Sequence, residues 1–173
     1  MNAPITILSQ FDLGDARDHR DSLLDPSKRK PYHFSMKLRL GNTSEFIELN
    51  LPSKLYRKPS EAPYEWNRIN ARISAGAWAS ESIAMNFLTT EIIEFLQQLP
   101  ALFRNLTGEA KLTSMEGWIE LTIKAERLGG IKISGFAKDQ DDGNRLHFQI
   151  SADQSFFPNV PGEVEKYLAA QHG

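Results

Sequence analysis

The stretch from Trp118 to Ala152, "WIELTIKAERLGGIKISGFAKDQDDGNRLHFQISA", decides the fold class. Three runs within it set apolar residues at every second position: Ile119, Leu121 and Ile123, then Ile131 and Ile133, then Leu146, Phe148 and Ile150. A period of two residues belongs to a strand with one buried and one wet face. The runs are joined by Arg127-Leu128-Gly129 and by the acidic "DQDDGN". Such connections are far shorter than the dozen or more residues that a parallel crossover needs, so these strands are antiparallel neighbours.

The same reading extends in both directions. "EAKLTS" supplies a strand before this stretch, joined to it through Met115-Glu116-Gly117. Nearer the N-terminus, Phe34, Met36, Leu38 and Leu40 alternate with Ser35, Lys37 and Arg39, and Ile47, Leu49 and Leu51 alternate with Glu48 and Asn50 across the "GNTS" turn. That pair is a predicted hairpin. "NRINARISAGAW" and "SIAMNF" read as two more strands, and the small residues Ala75, Gly76 and Ala77 suggest a place where a helix or another backbone comes close.

After Phe87 the period lengthens. Ile92, Leu96, Leu99, Phe103 and Leu106 fall at steps of four and three, one stripe of a helix. Thr89 or Thr90 is expected to cap it, Pro100 to break or kink it, and Gly108 to end it. A second helix is expected after Pro161, packing through Val164, Tyr167 and Leu168. The predicted fold is therefore α+β: about eight strands of antiparallel sheet in the order ββββα-ββββα, with two helices packed on one side. Residues 1–32 are expected to be a poorly structured N-terminal arm, because 9–31 hold five Asp and five Lys or Arg with little periodicity; 33–173 form a single domain. The loop 52–65, with three prolines, is the longest internal connection and a candidate for function.

Composition limits the function classes. The 20 basic and 22 acidic residues leave a formal charge of −2, which gives no global pull toward nucleic acid or anionic lipid. With no cysteine there is neither a disulfide framework nor a thiolate metal site. The N-terminus lacks a basic region and its apolar run spans only Ile5 to Leu8, so no signal peptide is read and a cytoplasmic location is expected.

Catalytic and metal motifs are equally thin. The phosphate-cradling and dinucleotide glycine motifs and the nucleophile elbow are missing, and the glycines of "LGGIKISG" precede a strand instead of opening a helix. His19, His33, His147 and His172 are scattered. In "DARDHRD", the acids Asp15, Asp18 and Asp21 with His19 share the segment with Arg17 and Arg20, which would repel a cation; a solvated mixed-charge arm is the better reading. "DQDDGN" is faintly like a calcium loop but stands between strands, so it reads as a hairpin loop. The Asp153-Gln154-Ser155 triplet reads as punctuation between the last strand and the last helix. His147 with Asp153, and Ser155 nearby, is the one pairing that a hydrolase or small-molecule reading could use, in a cavity between helix and sheet. Lys132 and Lys138 beside Phe136 make a small platform at most, and nucleic-acid binding is not expected. For Trp66, Trp78 and Trp118, closing the core is favoured over anchoring a partner. No cofactor, metal or catalytic residue is assigned.

The segment "FLTTEIIEFLQQLPALFRNLTGEAKLTSMEGWIELTIKAERLGGIKISGFAKD", followed by "RLHFQISADQSFFPNV", resembles the WapI-type immunity proteins, cytosolic bacterial partners that neutralise secreted or contact-delivered toxins. The likeness lies in the strand leading into "LTTE", the Leu-rich helix ended by "LTGEA", the "EGWIEL" and "LGGIKISG" strands and the "DQSFF" turn, over roughly residues 66 to 160. The arm before His33 and the loop 52–65 fall outside it. What the resemblance implies is a non-enzymatic inhibitor that binds a cognate protein toxin, with no catalytic set to carry over. Should that toxin be a nuclease with a basic surface, Asp139, Asp141 and Asp142 of the acidic hairpin would steer it. A homodimer through an exposed sheet edge is a third reading.

Overall fold

Alternating burial builds most strands as expected, but along 46–52 Phe46 and Glu48 of the polar side are buried as well. The computed structural model describes residues 34–55, 65–139 and 143–171, all within the unit His33–Gly173. The arm 1–32 and the stretch 56–64 of the proline-rich loop lie outside the described residues. β1 (Phe34–Gly41), β2 (Phe46–Pro52), β3 (Trp66–Ala75), β4 (Trp78–Ala79) and β5 (Ile83–Leu88) form one antiparallel sheet, in which β3 pairs with β2, β4 and β5. Helix α1 (Thr89–Asn105) follows. β6 (Glu109–Thr113), β7 (Ile119–Ala125), β8 (Gly130–Lys138) and β9 (Arg145–Asp153) form a second antiparallel sheet in sequence order, and α2 (Val160–Gln171) ends the described chain. The inner faces of both sheets and the buried sides of both helices share one apolar core, from Leu38, Ile47 and Ile69 through Phe95 and Leu96 to Ile123, Ile133, Ile150 and Val164.

The α+β arrangement is the expected one with a ninth strand added. Ala75-Gly76-Ala77 is not where a helix approaches. It is a tight hairpin turn in which Gly76 supplies φ +58° and a side chain there would meet nothing within 4 Å. β4 lasts two residues before β5 takes over the pairing with β3. The close backbone approach occurs at Gly135 of β8, where an added Cβ would lie 1.9 Å from the Glu120 carbonyl oxygen of β7.

Three expectations about α1 are corrected. Its start is not closed by a threonine hydroxyl: Leu88 occupies the cap position, and the Glu91 carboxylate accepts from the Leu88 N–H (2.8 Å) and from the Met115 N–H (2.6 Å). Thr89 is buried, and its hydroxyl accepts from Asn67 Nδ2 (2.8 Å), so a tertiary contact claims the group that a local cap would have used. The helix is also not broken at Pro100, which is buried, as are Leu96, Leu99, Leu102 and Phe103 beside it; that burial offsets the lost N–H, a cost of about 3 kcal/mol in a solvated helix. Finally, Leu106, not Gly108, adopts the left-handed conformation that ends it, at φ +52°, with its N–H donating to the Leu102 carbonyl. Leu106 packs against the core, and Gly108 follows at φ +84° as the chain turns into β6.

Helix α1 protects the outer edge of the second sheet. The Gln98 side chain accepts from the Lys111 N–H (3.0 Å) and donates to the Lys111 carbonyl (3.4 Å), occupying edge groups of β6 that another strand would need. Helix α2 is tied to α1 by the two-pronged Arg104–Glu165 ion pair, and Phe157, three residues before α2, stacks on Phe103 with ring centroids 4.7 Å apart. It is tied to the end of β2 by Tyr167, whose hydroxyl donates to the Pro52 carbonyl (2.7 Å), and by buried Gln171, which accepts from the Leu55 N–H (2.8 Å). Burial raises the Tyr167 pKa, so the hydroxyl keeps the proton that it donates.

These ties carry two expected results. Gln171→Ala leaves the buried Leu55 N–H without its acceptor and is expected to cost about 1–3 kcal/mol in urea unfolding, against about 1 kcal/mol for Tyr167→Phe. The second concerns pH. Arg104 holds the Glu165 carboxyl below its usual value of 4.5, and the Ser155 N–H holds that of Asp153 below 3.8. A lowered carboxyl pKa contributes stability that is whole above the ordinary value and is lost as pH falls through the lowered one. The urea-midpoint difference between the parent chain and Glu165→Gln is therefore expected to shrink as the pH is taken from neutral down through and below 4.5.

Candidate recognition site

The hairpin made by Gly76 thrusts Trp78 outward, and it remains 69 % exposed. Opposite it runs the β8–β9 hairpin. Between them lies an open groove of about 550 Å3, with Ile83, Ala137 and Leu146 as its apolar lining, Trp78 as one wall, and Asp139 and Arg145 on the other side. The hairpin is braced at its base: the Asp139 N–H donates to the Asn144 carbonyl (3.2 Å), and Asn144 Nδ2 donates to Asp139 Oδ2 (3.0 Å). The Arg145 guanidinium stands 4.2 Å from the centroid of Phe136, and His147 flanks the same ring at 5.7 Å, so Phe136 is not a bare platform.

The three tryptophans thus divide. Trp118 packs half-buried against the core and donates from Nε1 to Glu116 (2.8 Å), which is the closing role expected of all three. Trp66 is half-buried at the start of β3. Trp78 departs from the expectation, because β4 is too short to carry it under the sheet. Of the acidic hairpin residues, Asp139 sits at the groove, while Asp141 and Asp142 lie outside the described residues.

The hydrolase constellation does not assemble. His147 and Asp153 are six residues apart on one strand, a separation of about 20 Å. Asp153 is occupied as a cap: its Oδ1 accepts from the Ser155 N–H (2.8 Å) at the start of a short 3-10 turn, Gln154–Phe156, so the triplet punctuates the chain as its residue types suggest. The void between α1 and the first sheet, lined by Leu38, Ile69, Phe95 and Leu112 among others, amounts to about 10 Å3 and has no polar lining. Among the described residues no group of three or more His, Cys, Asp or Glu is placed to hold a metal ion; "DARDHRD" lies outside them. No described helix is long and apolar enough to cross a membrane.

The braced α+β scaffold thus presents an apolar groove walled by an exposed tryptophan, a composition common at recognition surfaces. The immunity protein WapI-like family matches residues 37–171, and the chain belongs to that family. The match extends beyond the segment that carries the resemblance, taking in β2 and most of β1 before it and α2 after it. No curated protein matches the sequence. Among solved structures, a chain from the crystal structures of Trypanosoma bruciei MRP1/MRP2 aligns over 95% of this chain and 98% of its own length, at 8% identity and a TM-score of 0.46, a likeness too slight to carry an argument.

Proposed function

We propose that this protein neutralises a cognate bacterial toxin in the cytoplasm by binding it, without catalysis of its own. Family membership gives the class of partner, and the groove beside Trp78 is the observation that gives the reading a surface. An exposed tryptophan at the wall of an apolar groove is the usual composition of a binding hot spot, and burying it against a partner removes a large apolar area from water. Asp139 stands at the groove, and the acidic sequence that it begins, with Asp141 and Asp142, would attract a basic toxin surface and speed encounter. The mechanism is occlusion over an interface of about 800 Å2 per partner.

The test is co-expression with the toxin encoded beside this chain. Growth protection together with a complex that survives gel filtration supports the reading, whereas protection without a complex, or neither, removes it. Asp139→Asn is expected to lower the association rate several-fold at low salt and to matter less at high salt, because a rim charge acts mainly on encounter.

A further inference from the structure

The wet face of the first sheet carries a second surface, separate from the groove. Arg39 of β1, Glu48 of β2 and Arg72 of β3 lie in one cross-strand row, and Lys37 points to the same side one row away. Phe46, also on this face and 8 % exposed, lies beneath both arginines: the Arg39 guanidinium is 3.6 Å from its centroid and that of Arg72 is 5.8 Å away. Glu48 is only 3 % exposed although it stands on the polar side, and it is approached by Lys37 Nζ (3.4 Å) and Arg39 Nη1 (3.9 Å). Two cations therefore approach one carboxylate, and a third, Arg72, stands in the same row.

We infer that this face docks a carboxylate-rich segment of a protein partner, gripped between Arg39 and Arg72 above Phe46. One buried acid cannot balance three cations, so a positive field remains over the row. The grip is set in advance. Arg39 is pinned by the Phe46 ring, by Glu48 and by donation from Nη2 to the Thr43 carbonyl (3.0 Å), and Glu48 also holds Lys37, so little freedom is left to lose on binding. Arg72 stays exposed over the same ring, with its planar fork available for two-point contact with a carboxylate. A nucleic acid fits less well. Phe46 is covered, so no bare ring at the centre of the row awaits a base, and the Glu48 carboxylate would oppose a phosphate chain crossing it.

The inference does not depend on the toxin reading, and its test uses no toxin. An N-acetylated poly-glutamate peptide of about ten residues is titrated into the full chain at about 50 mM salt and followed by amide NMR, beside an oligo-deoxythymidine of equal charge. Shifts are expected at the amides of Arg39, Phe46, Glu48 and Arg72. The apparent Kd is expected to rise at least about fivefold in Arg72→Gln, and by a smaller factor in Arg72→Lys, which keeps the charge and loses the fork. Trp78→Ala is expected to leave it unchanged. Arg72 is exposed, so unaltered spectra elsewhere verify folding in these variants. Shifts centred away from this row, equal affinity in Arg72→Gln, or tighter binding of the oligonucleotide would each overturn the inference.

Discussion

Replacing Trp78 by alanine is expected to weaken the complex with the toxin by at least about 2 kcal/mol, roughly thirtyfold in Kd, while leaving the fold intact. The two halves of that expectation rest on the same number. At 69 % exposure the indole contributes little to the core, so its removal should move the unfolding midpoint by no more than a surface substitution does, within about 0.5 kcal/mol. In a complex the same ring would be desolvated against the groove wall. Calorimetric titration of parent and variant, with urea melts of each alone, separates the effects. An unchanged Kd would move the interface elsewhere on the molecule.

The second large effect belongs to folding. Gly135→Ala would place a methyl group 1.9 Å from the Glu120 carbonyl oxygen and 3.1 Å from the Leu121 Cα. Those atoms are backbone of the paired strand β7, so no side chain can swing away to make room. The strands must part, and a loss of about 3 kcal/mol or more is expected, seen as a lower urea midpoint. Gly76→Ala makes the contrast: a side chain there meets open space, and only the positive φ opposes it, so about 1 kcal/mol is expected.

What the sequence made legible follows from which forces are local. Strands half-buried in a two-layer fold must alternate, and the runs at Met36 to Leu40, Ile119 to Ile123 and Phe148 to Ile150 do so with their apolar residues buried. Short connections then force antiparallel pairing. The details of α1 were not legible because distant atoms decide them. Asn67 takes the Thr89 hydroxyl, Glu91 reaches the β6–β7 turn, and core packing carries the helix through Pro100.

The groove was hidden for the same reason. A glycine two residues before Trp78 hints that the indole follows a tight turn, yet nothing local says that the β8–β9 hairpin, some sixty residues later, will form the opposite wall. Likewise Arg39, Phe46 and Arg72 are spread over three strands and acquire a common purpose only through the register. The Asp153 turn could be read correctly from residue type alone, because its carboxylate accepts from the Ser155 N–H only two residues on.

If neutralisation is occupancy, it has a stoichiometry. Purified toxin held at a concentration well above the Kd is titrated with this protein and its residual activity measured at each ratio. The account predicts a straight decline that reaches zero at one equivalent and does not deepen with incubation time. Complete loss at a small fraction of an equivalent, growing as the mixture stands, would mean that the protein acts as a catalyst on the toxin and would contradict it.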